Sequence, residues 1–185
     1  MAGFSERDYS RVVNRESESA VAAPEDVVPY IERTRRLYAG EKPYRWVAHD
    51  AEREPPPWAP VTKPLSALRV ALIASGGVYR DDQAPFHFRN DTSHREIPVD
   101  TRADRLRVSH FGYDVRNARR DPGCVFPLRA LRELAAMGVV GGVVTPALSF
   151  MGGIYSARRV REELAPRFRD FVLREEADLA FLVPA

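Results

Sequence analysis

Three short apolar runs constrain this chain more than any other feature: Leu68 to Ser75 (LRVALIAS), Val139 to Val144 (VVGGVV) and Leu179 to Val183 (LAFLV). A strand with one wet face alternates apolar and polar residues. These runs do not alternate, so they predict strands covered on both faces, which is the habit of parallel sheets. Glycine or proline follows each within two residues, at Gly76, Pro146 and Pro184. Between the second and third runs, Val160, Leu164, Phe168, Phe171 and Val172 recur at helical spacing, with Pro166 splitting that region or restarting it at a first turn. Strand, helix, strand in this order implies a right-handed crossover between parallel strands. A further helix is predicted from Pro127, with Leu128, Leu131, Leu134 and Ala135 on one face and Gly138 as its stop. Shorter extended pieces are expected at Arg95 to Pro98 and Leu106 to His110, and Thr145 to Gly153 reads as the loop leaving the second strand.

The expected fold class is therefore α/β: a mainly parallel open sheet with flanking helices, Rossmann-like but incomplete, preceded by an extended amino-terminal arm. Residues 1–64 form that arm, with a helix expected around Pro29 to Tyr38 and a proline-rich linker, EREPPPWAPVTKP, whose prolines favour extended geometry and cannot complete a ladder. Residues 65–185 form the α/β core. A chain of 185 residues is enough for one core. The net charge of +2 comes from acids and bases that alternate, as in RADRLR and RRVREEL, so no dense basic block marks a nucleic-acid partner. The apolar runs are too short to span a bilayer and the amino terminus MAGFSERDYSRVV lacks a signal-peptide core. A cytoplasmic protein without membrane contact is expected. The lone Cys124 excludes an internal disulfide and any Cys-x-x-Cys motif within these residues.

In open parallel sheets ligands bind beyond the carboxyl ends of the strands. That rule selects Ser75, Gly76 and Gly77 after the first strand, and Ser149, Gly152 and Gly153 after the second, as ligand-binding candidates. The glycine pairs would let backbone amides approach an anionic ligand; the same pairs also serve as tight turns leaving buried strands. The dinucleotide fingerprint Gly-x-Gly-x-x-Gly is absent and no Walker A lysine follows. The segment RVSHFGYD packs His110, Tyr113 and Asp114 into five residues. Proton exchange, hydrogen bonding and orientation of an ammonium group are within reach of that trio. A plain turn, with Asp114 capping an amide and His110 a satisfied polar residue, is the alternative. His87, His94 and His110 follow no ligand spacing, so no metal is expected. Cys124, in DPGCVFP, suits a small filler better than a nucleophile.

Several segments in order, VALIASGGVY, DDQAPF, REIPVD, SHFGYD, DPGCVFPL with LRELAAMGVVGG, SFMGG and LAFLVPA, resemble the glycine/sarcosine/betaine/D-proline reductase selenoprotein B family across roughly Tyr30 to Ala185. The resemblance implies a substrate-side component of a reductase that cleaves a carbon–nitrogen bond in a small amino acid or betaine, with electrons from a dithiol donor and other reductase subunits as partners. It gives His110, Tyr113 and Asp114 acid–base or orienting roles. It places the reactive selenocysteine or cysteine in a Sec/Cys-x-x-Cys type motif directly after a strand like LAFLVPA. No such motif is present, so no cofactor is expected within the chain and the reactive residue is expected just beyond Ala185, with a UGA codon there as the specific expectation. As a fragment, the chain is expected to lack turnover and to expose apolar surface that favours a homo-oligomer or aggregation. The rival reading is a non-catalytic binding protein that pairs with a separately encoded partner. A third, resting only on SGG, is a phosphate- or nucleotide-binding domain.

Overall fold

The computed structural model of the protein describes residues 59–185. The helix expected around Pro29 to Tyr38 and most of the proline-rich segment lie outside the described residues. The stretch from Ala59 to Pro64 is exposed and without regular structure, as its prolines require.

The sheet is built on β1 (Arg69–Ala74). The carbonyls of Leu68 and Val70 accept from the amides of Gly142 and Val144, while the Arg69 carbonyl between them accepts from Asp178. This parity sets β5 (Gly142–Val143) and β6 (Ala147–Phe150) along one flank of β1 and β7 (Leu179–Val183) along the other, all three parallel to it. β3 (His94–Ile97) adds antiparallel to β6. β2 (Val78–Arg80) and β4 (Leu106–Val108) make a separate antiparallel pair. The architecture is thus a mixed, mostly parallel α/β sheet, with the carboxyl ends of β1, β6 and β7 at one edge.

Alternate residues of β1 feed opposite layers, because successive side chains of a strand point to opposite faces. Leu72 and Ala74 join a core with Phe86, Ile97, Phe126, Leu128 and Leu131. Ala71 and Ile73 join Val144, Leu148 and Phe171 on the other side. The first layer is capped by α1 (Arg116–Arg120) and α2 (Leu128–Ala136), whose Leu128 and Leu131 are buried. Helix α2 stops where Gly138 takes φ 71°, the left-handed conformation suited to the residue after a helix. The second layer is covered by a helical run of α3 (Ala157–Arg159), a π turn at Val160–Leu164 and α4 (Ala165–Arg174). Pro166 sits in the first turn of α4, and the wide turn before it spares the helix the amide that proline lacks.

Two expectations need correction. The run Val139 to Val144 is not one strand, since only Gly142–Val143 pairs with β1 and Val139 is 41% exposed in the turn after α2. The ladder resumes as β6 within the segment read as a loop. Val70 pairs with Val143 and Ile73 with Leu148, so the flanking chain carries two residues more than β1 between these points. Thr145 and Pro146, joined by a cis peptide, are that excess. Proline looked like a strand terminus, but the missing amide interrupts the ladder only locally. The strand Leu179 to Val183 is also not buried: it pairs with β1 alone among the described residues, and Phe181 and Leu182 are 42% and 65% exposed. The short extended pieces run His94–Ile97 and Leu106–Val108, so Pro98, Ser109 and His110 fall outside them.

A tether joins the long loop after β2 to the segment after β6. Asn90 adopts φ 48°, and its Oδ1 accepts from the amides of Tyr155 (2.9 Å) and Ser156 (3.1 Å). Arg159 donates to the Asn90 carbonyl at 2.6 Å, to Thr92 Oγ1 at 3.0 Å and to Glu163. Buried Asp91 accepts from the amides of His87 and Ser93. Replacing Asn90 by Ala removes the acceptor of two amides and strains the left-handed backbone, so a stability loss of about 1–3 kcal/mol is expected in urea denaturation. Asn90→Gly relieves only the backbone part and should fall between; an Asn90→Gly variant as stable as the wild type would refute the tether.

Candidate functional site

The carboxyl ends of β1, β6 and β7 are laced together by the serines and glycines that follow them. Ser75 donates its amide to the Val183 carbonyl at 2.9 Å, and its hydroxyl accepts from the Ala185 amide at 2.9 Å. Gly77 donates to the Phe150 carbonyl at 2.9 Å, and Gly152 to the Ser75 carbonyl at 3.0 Å. Gly76 bridges Met151. Ser149 is fully buried and its hydroxyl accepts from the Val78 amide at 2.9 Å, which fixes the start of β2 over the end of β6. All six serines and glycines selected by the strand-end rule therefore meet at one place. The amides of Gly77 and Gly152 are spent on carbonyls of the chain itself.

Two of these glycines are required by close approach. At Gly77, φ is 68° and a Cβ would lie 2.1 Å from the Ser109 carbonyl oxygen. At Gly153 a Cβ would lie 2.3 Å from the edge of the Phe111 ring. Both contacts draw the 109–113 segment onto the strand ends.

This segment brings His110 and Tyr113 into the site. The Tyr113 hydroxyl donates to the Gly76 carbonyl at 2.9 Å, and its ring centroid is 4.6 Å from that of His110. The His110 ring stacks on Phe111, and Phe111 on Tyr155, which forms an aromatic wall beside Gly153. His110 is 2% exposed, and burial pushes its pKa down to about 4, so the ring is neutral at neutral pH. Asp114 does not join them. Its carboxylate accepts from the Arg116 amide at 3.0 Å and pairs with the Arg116 guanidinium at 2.6 Å, which holds its pKa below the usual carboxylate range. Cys124 is exposed in the turn Pro122–Cys124, one residue from Val125, whose Cβ would sit 2.8 Å from a Cβ placed on Gly76.

Sequence reasoning did not single out Phe111, Tyr155 or Asn90. An aromatic residue inside SHFGYD, Phe111, and another two residues after SFMGG, Tyr155, were the signal present; Asn90 gave none, because its partners are 65 and 66 residues away. Among the described residues no group of three or more His, Cys, Asp or Glu side chains is placed to hold a metal ion. No helix among them is long and apolar enough to cross a membrane.

No solved structure matches this chain. Among curated proteins it is similar to the D-proline reductase subunit gamma of Acetoanaerobium sticklandii, 34% identical over 128 residues that cover 69% of this chain and 53% of the relative. It is also similar to the sarcosine reductase complex component B subunit beta of Peptoclostridium acidaminophilum, 31% identical over 55% of this chain and 24% of the relative. The glycine reductase complex component B subunit gamma of Symbiobacterium thermophilum is 31% identical over 49% of this chain and 22% of its own length. The chain spans about half the length, or less, of these relatives. The family model of glycine/sarcosine/betaine reductase selenoprotein B matches residues 48–171, a stretch that contains β1 to β6 and the serines and glycines after β1 and in and after β6 together with His110 and Tyr113, and the chain belongs to that family.

Proposed function

We propose that this chain is the substrate-side component of a reductase that cleaves the carbon–nitrogen bond of a small amino acid or betaine. The observation that carries the reading is the match of residues 48–171 to the selenoprotein B family. The meeting of Ser75, Gly76, Gly77, Ser149, Gly152, Gly153, His110 and Tyr113 at the strand ends supports it, because that is where parallel sheets hold ligands. In this reading a dithiol donor loses two electrons and two protons as it becomes a disulfide. The C–N bond accepts both electrons; one proton ends on carbon and the other on nitrogen, which leaves as the amine or, from a ring, stays tethered in the opened product. A selenocysteine or cysteine of the assembled reductase supplies the easily ionised nucleophile. The residues at hand fit such a group, since the Ala185 amide already sits on Ser75 Oγ beside Gly76 and Gly77. Their part is to shape and wall the site. Other reductase subunits are the partners, in a cytoplasmic setting.

The test is dithiol-dependent cleavage of the C–N bond, read as amine released from glycine, sarcosine and betaine and as the ring-opened amino acid formed from D-proline. It is run on the complex isolated natively through a tag on this chain, and on the chain alone. Turnover by the complex is expected. The chain alone should give none, because Cys124 is its single cysteine and cannot close and resolve an internal disulfide. Turnover by the isolated chain would overturn the assignment of roles, and a complex inactive on all four substrates would overturn the reading itself. A second reading, a non-catalytic binding protein, is favoured by the edge of β7 that has no strand beside it among the described residues. Phe181 and Leu182 there, with Leu173 of α4 67% exposed, present apolar side chains that a partner strand and helix would cover. It predicts a stoichiometric complex that depends on Leu182 and has no turnover.

A further inference from the structure

His110 holds a donor for which the described residues provide no acceptor. Its Nδ1 accepts a hydrogen bond from the Gly112 amide at 2.8 Å. A nitrogen that accepts bears no proton, so the neutral ring carries its proton on Nε2. Nε2 is buried and has no hydrogen-bond partner among the described residues. Leaving a buried N–H unpaired costs about 1–3 kcal/mol, and folded proteins rarely do so without a reason. The backbone of Gly112 thus fixes the tautomer and directs the proton to the one position that is left unused. The surroundings select what can use it. The rings of Phe111 and Tyr113 are the aromatic neighbours of the imidazole, and the Tyr113 hydroxyl is occupied by the Gly76 carbonyl.

We propose that Nε2–H of His110 is the hydrogen-bond donor for a carboxylate oxygen of the small amino-acid ligand, with Tyr113 as the side chain that yields to admit it. This rests on the reductase reading and gives the site its handle on the substrate. An ammonium group is excluded at this nitrogen, since two donors cannot pair. The three relatives are named for D-proline, sarcosine and glycine, which differ at nitrogen and share a carboxylate. A fixed carboxylate donor serves all of them and leaves discrimination to groups that meet the nitrogen. The ring then positions the substrate and moves no proton, in keeping with its neutrality.

The test uses the full chain labelled with 15N at histidine, with the His110 signals assigned by the His110→Gln variant. Long-range proton–nitrogen spectra should show Nε2 protonated and Nδ1 bare. Glycine, sarcosine, betaine, D-proline and acetate should each shift the Nε2–H signal saturably, and methylammonium should not. His110→Leu should weaken binding of these carboxylates about tenfold or more, as expected for a lost bond to a charged acceptor. His110→Gln, which keeps an N–H near the same place, should recover most of it; in the complex His110→Leu should raise KM more than it lowers kcat. The opposite tautomer, or an Nε2–H signal indifferent to every carboxylate because a resident water holds it, overturns the proposal. Carboxylate-dependent shifts without turnover by the complex would leave this site standing and sink the reductase reading; turnover with an indifferent His110 would do the reverse.

Discussion

Gly77→Ala is expected to destabilise the protein by about 3 kcal/mol, lowering the thermal midpoint by roughly 10 °C. Two independent costs add. Alanine at φ 68° pays for the left-handed conformation, about 1–2 kcal/mol. The new Cβ would also lie 2.1 Å from the Ser109 carbonyl oxygen and 3.0 Å from its carbon, so backbone must move. That movement is opposed by the hydrogen bonds on either side, from Ser109 N to the Gly77 carbonyl and from Gly77 N to the Phe150 carbonyl, both 2.9 Å. Gly142→Ala is the control, because no atom lies within 4 Å of its Cβ position; it should change stability by less than about 1 kcal/mol. Since the 109–113 segment hangs on this contact, Gly77→Ala should also weaken carboxylate binding at His110. Equal midpoints for the two variants would show that Gly77 and Ser109 are not in contact.

The second large effect is on acid stability. The pKa of His110 is pushed by burial alone from the ordinary 6.5 to about 4 in the folded protein. Between these values the unfolded chain takes up a proton that the folded one refuses, so stability falls as pH drops through that window and is level for this group below about 4. The shift corresponds to a loss on the order of 3 kcal/mol. Half-buried His94, lowered in the same direction by desolvation, adds to it. Carboxylates act in a lower window. Glu163 is held down to about 2 by hydrogen bonds from Arg159 and Thr92; its contribution is whole above the ordinary 4.5 and disappears as pH falls through about 2. Urea midpoints measured from neutrality downwards should therefore decline in two stages. His110→Gln should flatten most of the first and leave the second unchanged. A wild-type midpoint that is level down to about pH 4 would show that His110 is not buried as described.

Phe181 and Leu182 show why a strand can be predicted correctly and still be misplaced. The run LAFLV specified an extended segment parallel to β1, and that is what forms, with Leu72 beside Phe181 and Ile73 beside Leu182. Burial does not follow from the run. It depends on what else lies beside the strand, and among the described residues β7 has β1 on one side only. Pro146 misled in the opposite sense. A proline inside an apolar stretch reads as a terminator, yet Ala147, Leu148 and Ser149 are buried because β1 and β3 flank them. At the site, the strand-end rule located the serines and glycines, and SHFGYD located His110 and Tyr113. Asp114 was separated from them by a cation two residues along, Arg116.

What the sequence determined by itself is whatever is encoded within a turn or two of chain. That includes the extended habit of the apolar runs, helix α2 between Pro127 and Gly138, the restart of a helix at Pro166, and the serines and glycines that gather at the strand ends. Only the tertiary structure decided the interruption at Thr145 and Pro146, the exposure of β7, the grip of Asn90 on Tyr155 and Ser156, and the burial and tautomer of His110. The physical reason is one of range. Backbone propensity and side-chain period act between neighbours, whereas a buried imidazole takes its proton position and its pKa from the packing of segments as distant as Gly77 and Ser109.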